Sequence, residues 1–256
     1  MEMIARGRAY ASASLMLVLA WVPLGAQSQD DRAFARDLIA KKSSAFITVL
    51  ATGKMHMTMN GKEATNDLPV NIGATVLTPQ GLAVTSLSAI QPENFLNARA
   101  RAQGGAAAQM QVTSEITDIR MRLPDGREVP AQVVLRDADL DLAFLRPTDA
   151  PAQPMAVVTE ASGKPAVMDL VITLSRTDEN LGYRAIGSFG TVEIVIDRPR
   201  TYYLLNDGRT VGSPVFDMQG RLVGITVTRA TGGRGGPSIG VLPADDIREV
   251  AKQVKP

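Results

Sequence analysis

The sequence predicts an all-β protein made of two similar halves, with a short helix at each end. From residue 43 onward, short runs rich in Val, Ile, Leu and Thr alternate with turn signals, a spacing that favours an antiparallel barrel or sandwich. A stretch rich in Pro and Ala at 147–154 divides this region in two. Hydrophobic residues make up 45% of the 256-residue chain and aromatic residues only 4%, so we expect mainly aliphatic cores.

The first 26 residues have the layout of a secretory signal. Arg6 and Arg8 precede an apolar stretch at 9–20, and small residues lead to a cleavage site after Ala26. An uncleaved anchor is the alternative, but the apolar stretch is shorter than the roughly 20 residues that span a bilayer. We therefore expect an exported protein, periplasmic or secreted, with no stable membrane insertion after signal cleavage.

Composition narrows the partners and cofactors. Residues 1–26 hold Glu2, Arg6 and Arg8, so cleavage leaves 25 basic and 25 acidic residues from the original 27 and 26. A net charge of zero argues against a nucleic-acid partner. The chain has no cysteine and one histidine, His56, which leaves no convincing metal cluster. No segment has the spacing of a calcium loop, so neither a metal nor a cofactor is expected.

The two ends of the mature chain predict helices. Residues 27–42 form an amphipathic pattern in which Asp30 or Asp31 serves as the cap, and two lysines suit the C-terminal end. Residues 243–252 begin with acidic side chains and end with basic ones, which indicates a closing helix.

Between these helices lie the two β-rich halves. About six strands are expected in a first half at 43–146, and a second half follows at 155–256, with 147–154 as the linker. Residues 91–114 are low in complexity and predict a mobile loop with a helical turn from Glu93 to Arg101. A partner-binding loop or lid is the alternative interpretation of this segment.

Three segments carry recognisable patterns in a fixed order. Residues 72–90 read IGATVLTPQGLAVTSLSAI, residues 141–145 read DLAFL after a Pro-Asp-Gly turn, and residues 212–216 read GSPVF. Together they resemble the signatures of the HtrA/Do branch of the trypsin-like serine peptidases. The resemblance implies a trypsin-like double six-stranded antiparallel β-barrel from about residue 43 to 255, without the PDZ domain common in that branch.

The same resemblance implies a degenerate catalytic triad. The family's histidine falls on Ser88, its serine falls on Val211, and its aspartate is kept as Asp141. The mechanism needs a hydroxyl nucleophile and an imidazole base. Valine has no hydroxyl, and serine does not titrate near neutral pH. A Ser88–Asp141 dyad or a base supplied by His56 would be a poor substitute, because a carboxylate is a weak base for serine and His56 lies in a distant strand.

The sequence therefore predicts a pseudoprotease that binds a protein or peptide partner in the cell envelope. An extended peptide would add to a strand in a groove formed by Gly212, Ser213, Gly224, Ile225 and Thr226; alternatively, the two glycines only satisfy turn geometry. Two other functions stay open: an active endopeptidase with a rearranged site that uses Ser213, and a structural envelope component that acts through the 91–114 loop. The sequence does not indicate an oligomeric state.

Overall fold

The computed structural model describes residues 28–206, 210–229 and 238–255. The predicted signal at 1–26 lies outside the described residues. The helices are α1 (Gln29–Lys42), α2 (Leu87–Ile90), α3 (Glu93–Gln103) and α4 (Ala244–Ala251). The strands are β1 (Phe46–Met59), β2 (Lys62–Asp67), β3 (Val70–Val76), β4 (Ala83–Ser86), β5 (Gln111–Arg122), β6 (Glu128–Asp137), β7 (Leu142–Pro147), β8 (Leu170–Arg176), β9 (Ala185–Ile196), β10 (Tyr202–Leu205), β11 (Pro214–Asp217), β12 (Leu222–Arg229) and β13 (Ser238–Pro243).

The first barrel consists of six antiparallel strands in the order β1-β3-β4-β7-β6-β5. It closes because the long strand β1 pairs with β3 through residues 46–51 and with β5 through residues 48–58. The distal half of β1 also pairs with β2 in a hairpin that extends beyond the barrel. Its core is aliphatic, as the composition predicts, and includes Ile47, Val49, Val76, Met121 and Leu145.

The second barrel has the order β10-β13-β12-β11-β8-β9 and is also closed. Valines dominate its centre, where Val171, Val192, Val215 and Val223 are buried. β-Branched residues suit the crowded inner face of a small barrel. The predicted double six-stranded antiparallel β-barrel is therefore confirmed.

A third apolar cluster lies between the barrels. Leu142 and Phe144 from β7 meet Tyr202, Ile225 and residues of α4. This cluster fixes the two barrels against each other along the seam where the candidate site lies.

The cap of helix α1 lies two to three residues before the predicted one. Ser28 is the cap: its hydroxyl accepts a hydrogen bond from the Asp31 backbone N–H at 3.0 Å, and the Asp31 carboxylate accepts one from the Ser28 N–H at 3.1 Å. This reciprocal capping box corrects the prediction that Asp30 or Asp31 caps the helix. Ala35 and Leu38 are the buried residues of the helix, and they pack on the second barrel.

The connection between the barrels is longer than the predicted linker at 147–154, since it runs from the end of β7 to the start of β8. Its middle part is hydrogen-bonded to both barrels. The backbone N–H of Val158 donates to the Val76 carbonyl of β3 at 3.0 Å, and the Gly163 N–H donates to the Leu222 carbonyl of β12 at 2.8 Å.

The segment at 91–114 has regular secondary structure where the sequence predicts a loop, and the predicted helical turn from Glu93 to Arg101 is part of helix α3. It contains α3, a 3₁₀ turn at 105–109 and the start of β5. The Asn97 side-chain amide exchanges two hydrogen bonds with the backbone of Val112, at 2.8 and 2.7 Å, while Ala100 is buried. Low complexity here reflects good helix formers such as Ala and Arg. In the part of the chain that the structure describes, no helix is long and apolar enough to cross a membrane.

Candidate functional site

Asp141 and Ser88 lie side by side because of the strand pairing between β4 and β7. Ser86 at the end of β4 pairs with Leu142 at the start of β7, so helix α2 begins next to the turn that precedes β7. The Leu87 N–H donates to the Asp141 carbonyl at 2.9 Å. Asp141 itself has a φ of 58°, in the left-handed region that aspartate tolerates better than most residues.

The Asp141 carboxylate connects the two barrels. Its Oδ1 accepts a hydrogen bond from the Ser88 backbone N–H at 2.7 Å. Its Oδ2 accepts one from the Thr228 backbone N–H of β12 at 2.8 Å, and another from the Ser86 hydroxyl. Burial raises the pKa of Asp141, and these hydrogen bonds to Ser86, Ser88 and Thr228 act in the opposite direction.

The side chains around this carboxylate are hydroxyls. The Ser88 Oγ lies 3.2 Å from the Ser86 Oγ, which in turn lies 3.4 Å from the Thr228 Oγ1. A hydroxyl at position 88 can donate to a carboxylate or accept from a neighbour. It cannot take a proton from a nucleophile at neutral pH, so this cluster has no general base of the kind that the family mechanism needs.

A pocket of about 370 Å³ opens beside Ser88 and Asp141. Helix α3 contributes Phe95 to its wall, and β12 contributes Thr228 and Arg229. The Arg229 guanidinium stacks over the Tyr202 ring, 3.7 Å from its centroid. The pocket therefore lies between the barrels, with one wall from each.

On the other side of the site, Gly212 is packed into the first barrel. Its N–H donates to the Thr226 carbonyl at 2.7 Å, and its carbonyl accepts from the Thr75 Oγ1 at 3.0 Å. Its φ is 77°, and a Cβ there would come within 2.0 Å of the Gly73 carbonyl oxygen. Only glycine fits this position. The neighbouring Val211 is half-buried.

Ser213 is completely buried, with a relative exposure of 0%. Its N–H donates to the Thr226 Oγ1 at 2.9 Å, and its carbonyl accepts from the Thr226 N–H at 2.9 Å. The Ser213 hydroxyl has no hydrogen-bond partner among the described residues.

The predicted peptide groove at Gly212, Ser213, Gly224, Ile225 and Thr226 needs correction, because all five residues are buried. Strand addition requires an edge with free N–H and C=O groups. Gly224 and Ile225 instead pair with β11 on one side and β13 on the other. A Cβ at Gly224 would lie 1.8 Å from the Leu242 carbonyl oxygen, so this glycine allows close strand packing.

His56 lies on the exposed part of β1, opposite Thr65 of β2. Its Nδ1 is 2.9 Å from the Thr65 Oγ1, and it does not line the pocket beside Asp141. Over residues 28–206, 210–229 and 238–255, no group of three or more His, Asp or Glu side chains is placed to hold a metal ion.

Sequence reasoning missed four residues that shape the site: Ser86, Phe95, Thr228 and Arg229. Ser86 lies two residues before Ser88, so it belongs to the same motif and carried a usable signal. Thr228 is 87 residues from Asp141, and no local pattern indicates that contact. Phe95 lies in the helical turn predicted at Glu93 to Arg101, within a segment interpreted as a loop, so no role at the site was expected of it.

Two closed six-stranded antiparallel barrels, with a half-buried aspartate between them, define a protein of the trypsin-like fold. Residues 73–225, more than half of the chain, match the trypsin-like peptidase domain family, and the chain belongs to it. A comparison with curated proteins finds no match.

Proposed function

We propose that this chain is a catalytically inactive trypsin-like peptidase homologue of the HtrA/Do type, and that it binds a protein or peptide partner in the cell envelope. One observation carries the inactivity: at the positions of the family's triad, Asp141 accepts the Ser88 backbone N–H at 2.7 Å, while Ser88 offers a hydroxyl and Val211 a hydrocarbon. The only imidazole in the sequence, that of His56, belongs to the β1–β2 hairpin.

The alternative of an active endopeptidase using Ser213 finds little support in the site. Nucleophilic serines need access to the substrate carbonyl and a base within hydrogen-bond reach. Ser213 is fully buried and has no hydrogen-bond partner for its hydroxyl among the described residues. Exposing it would require breaking its backbone pairing with Thr226.

A fluorophosphonate probe, which labels activated serines, tests the proposal. The wild-type protein should not be labelled. A double variant, Ser88→His with Val211→Ser, would restore a hydroxyl and an imidazole at the positions of the family's triad, so it should gain labelling. Adding Asp141→Asn to that double variant should lower labelling again, by the roughly 10⁴-fold effect known for the orienting aspartate of a triad.

A second comparison separates the two functions. If the wild type is labelled and Ser213→Ala removes the label, the rearranged active site is correct and the proposed inactivity is not.

The export part of the proposal depends on residues 1–26, which include Trp21, the single tryptophan. A mass beginning at Gln27 for protein recovered from the envelope would support it; a mass that retains Trp21 would count against it.

A further inference from the structure

The carboxylate of Asp141 has hydrogen-bonding capacity to spare. A carboxylate offers about four lone-pair sites, and the Ser88 N–H, the Thr228 N–H and the Ser86 hydroxyl bond to the one at Asp141. The Ser88 hydroxyl, which also lowers the pKa of Asp141, lies 3.2 Å from the Ser86 Oγ. Asp141 is half-buried and lines the pocket of about 370 Å³. The pocket is therefore a route by which a further donor can reach this carboxylate.

The pocket itself combines charge with apolar walls. Asp139 contributes a second carboxylate, while Leu87, Phe95 and Leu140 contribute hydrocarbon. Of these residues Asp139 is exposed, and Leu87 and Leu140 are buried. The carboxylate at the inner end is therefore approached past apolar side chains, with another acidic group at the solvent side.

Arg229, the positively charged residue that lines the pocket, already contacts an aromatic ring. The Arg229 guanidinium stacks on Tyr202, 3.7 Å from the ring centroid, and among the described residues it forms no salt bridge with Asp141 or Asp139. Two carboxylates against one guanidinium leave an excess of negative charge among the lining residues.

We propose that this pocket receives a cationic side chain of the bound partner, of the lysine or arginine class, which donates a hydrogen bond to Asp141. The inference rests on the proposed function, because a triad histidine would occupy this position in an active enzyme. An aliphatic stem with a charged end matches the apolar walls and the acidic inner end. Burial disfavours the charged form of Asp141. An opposite charge at short range favours that form, so a cation in the pocket would offset the effect of burial.

Two tetrapeptides test the pocket, both acetylated and amidated: Ala-Ala-Lys-Ala, and the same peptide with norleucine, which keeps the aliphatic stem and lacks the ammonium group. Titration into ¹⁵N-labelled protein is followed through the amide resonances of Ser88 and Thr228, since both N–H groups bond to Asp141. The lysine peptide should shift these two resonances saturably and bind at least about tenfold more tightly, which is the effect of one favourable charged contact.

Two variants locate the effect. Asp141→Asn should abolish the preference for lysine over norleucine, and Asp139→Asn, at the exposed rim, should reduce it only slightly because solvent screens that charge. Should Asp141→Asn fail to fold, the ratio of the two affinities on wild-type protein decides the matter. Equal binding of both peptides, or shifts confined to other regions, would overturn the inference. Labelling by the fluorophosphonate probe would instead overturn the proposed inactivity, so the two failures are distinguishable.

Discussion

The two sides of the candidate site differ in how they treat their polar groups. On the first-barrel side, Ser86, Ser88 and Asp141 form a hydrogen-bonded cluster that faces an open pocket. On the second-barrel side, Gly212 is pressed against the Gly73 carbonyl and the Ser213 hydroxyl is buried without a partner among the described residues.

This difference concerns two separate requirements of a peptidase, a pocket that can hold a ligand and a nucleophile that can attack it. A solvent-facing pocket with a carboxylate at its inner end has room for a ligand, whereas Gly212 and the Ser213 hydroxyl are enclosed by packing. The family's mechanism needs both sides at once. In this chain the first-barrel side keeps an aspartate that lines a pocket, and the second-barrel side has Val211 at the position where the resemblance expects the nucleophile.

The packing of the second-barrel side is tested most strongly by Gly212→Ala. The left-handed φ costs about 1–2 kcal/mol for alanine, and overlap with the Gly73 backbone adds a comparable overpacking cost. We expect the free energy of unfolding to fall by about 3 kcal/mol or more, measured by urea denaturation. Gly61→Ala is the matched control, because Gly61 has a φ of 71° with no atom within 4 Å of an added Cβ, and it should cost only the roughly 1–2 kcal/mol of the left-handed φ. Equal costs would show that the close contact at Gly212 carries no energy.

The first-barrel side should show a pH dependence that traces to Asp141. Because its folded pKa lies above the unfolded value, the folded state holds more protons between those two pKa values, and stability falls as pH rises through that window. One group contributes a slope of at most about 1.4 kcal/mol per pH unit. The difference in unfolding free energy between wild type and Asp141→Asn should therefore decrease as pH rises from below 3.8. A difference that increases with pH would show that hydrogen bonding outweighs burial at this carboxylate.

The smallest expected effect belongs to Ser213→Ala. Its hydroxyl is buried and without a partner among the described residues, so its removal should leave stability unchanged or raise it by about 1 kcal/mol. Thr226→Val is the matched control: the Thr226 Oγ1 accepts the Ser213 N–H at 2.9 Å and donates to the Thr210 carbonyl at 2.5 Å. Its loss should cost about 1–3 kcal/mol. A large loss on Ser213→Ala would mean that this hydroxyl has a partner.

Local patterns in the sequence predicted the strands and both barrels, because alternation and turn residues act over a few positions. The positions of Ser88 and Asp141 in the candidate site followed from the resemblance to a family rather than from local patterns. They failed where a contact joins distant segments. Nothing near Gly224 or Ile225 indicates that both edges of β12 are already paired, so an open groove looked reasonable there. Likewise, helix α3 is stabilised by Asn97 bonding to Val112 in β5, a contact that composition cannot indicate.

The connection between the barrels has a mechanical consequence. A linker that joins two bodies as a hinge has slack, but this one is hydrogen-bonded to β3 through Val158 and to β12 through Gly163. These bonds resist rotation of one barrel against the other. The connection therefore links the two barrels across the seam, and it limits changes in the distance between the two walls of the Asp141 pocket.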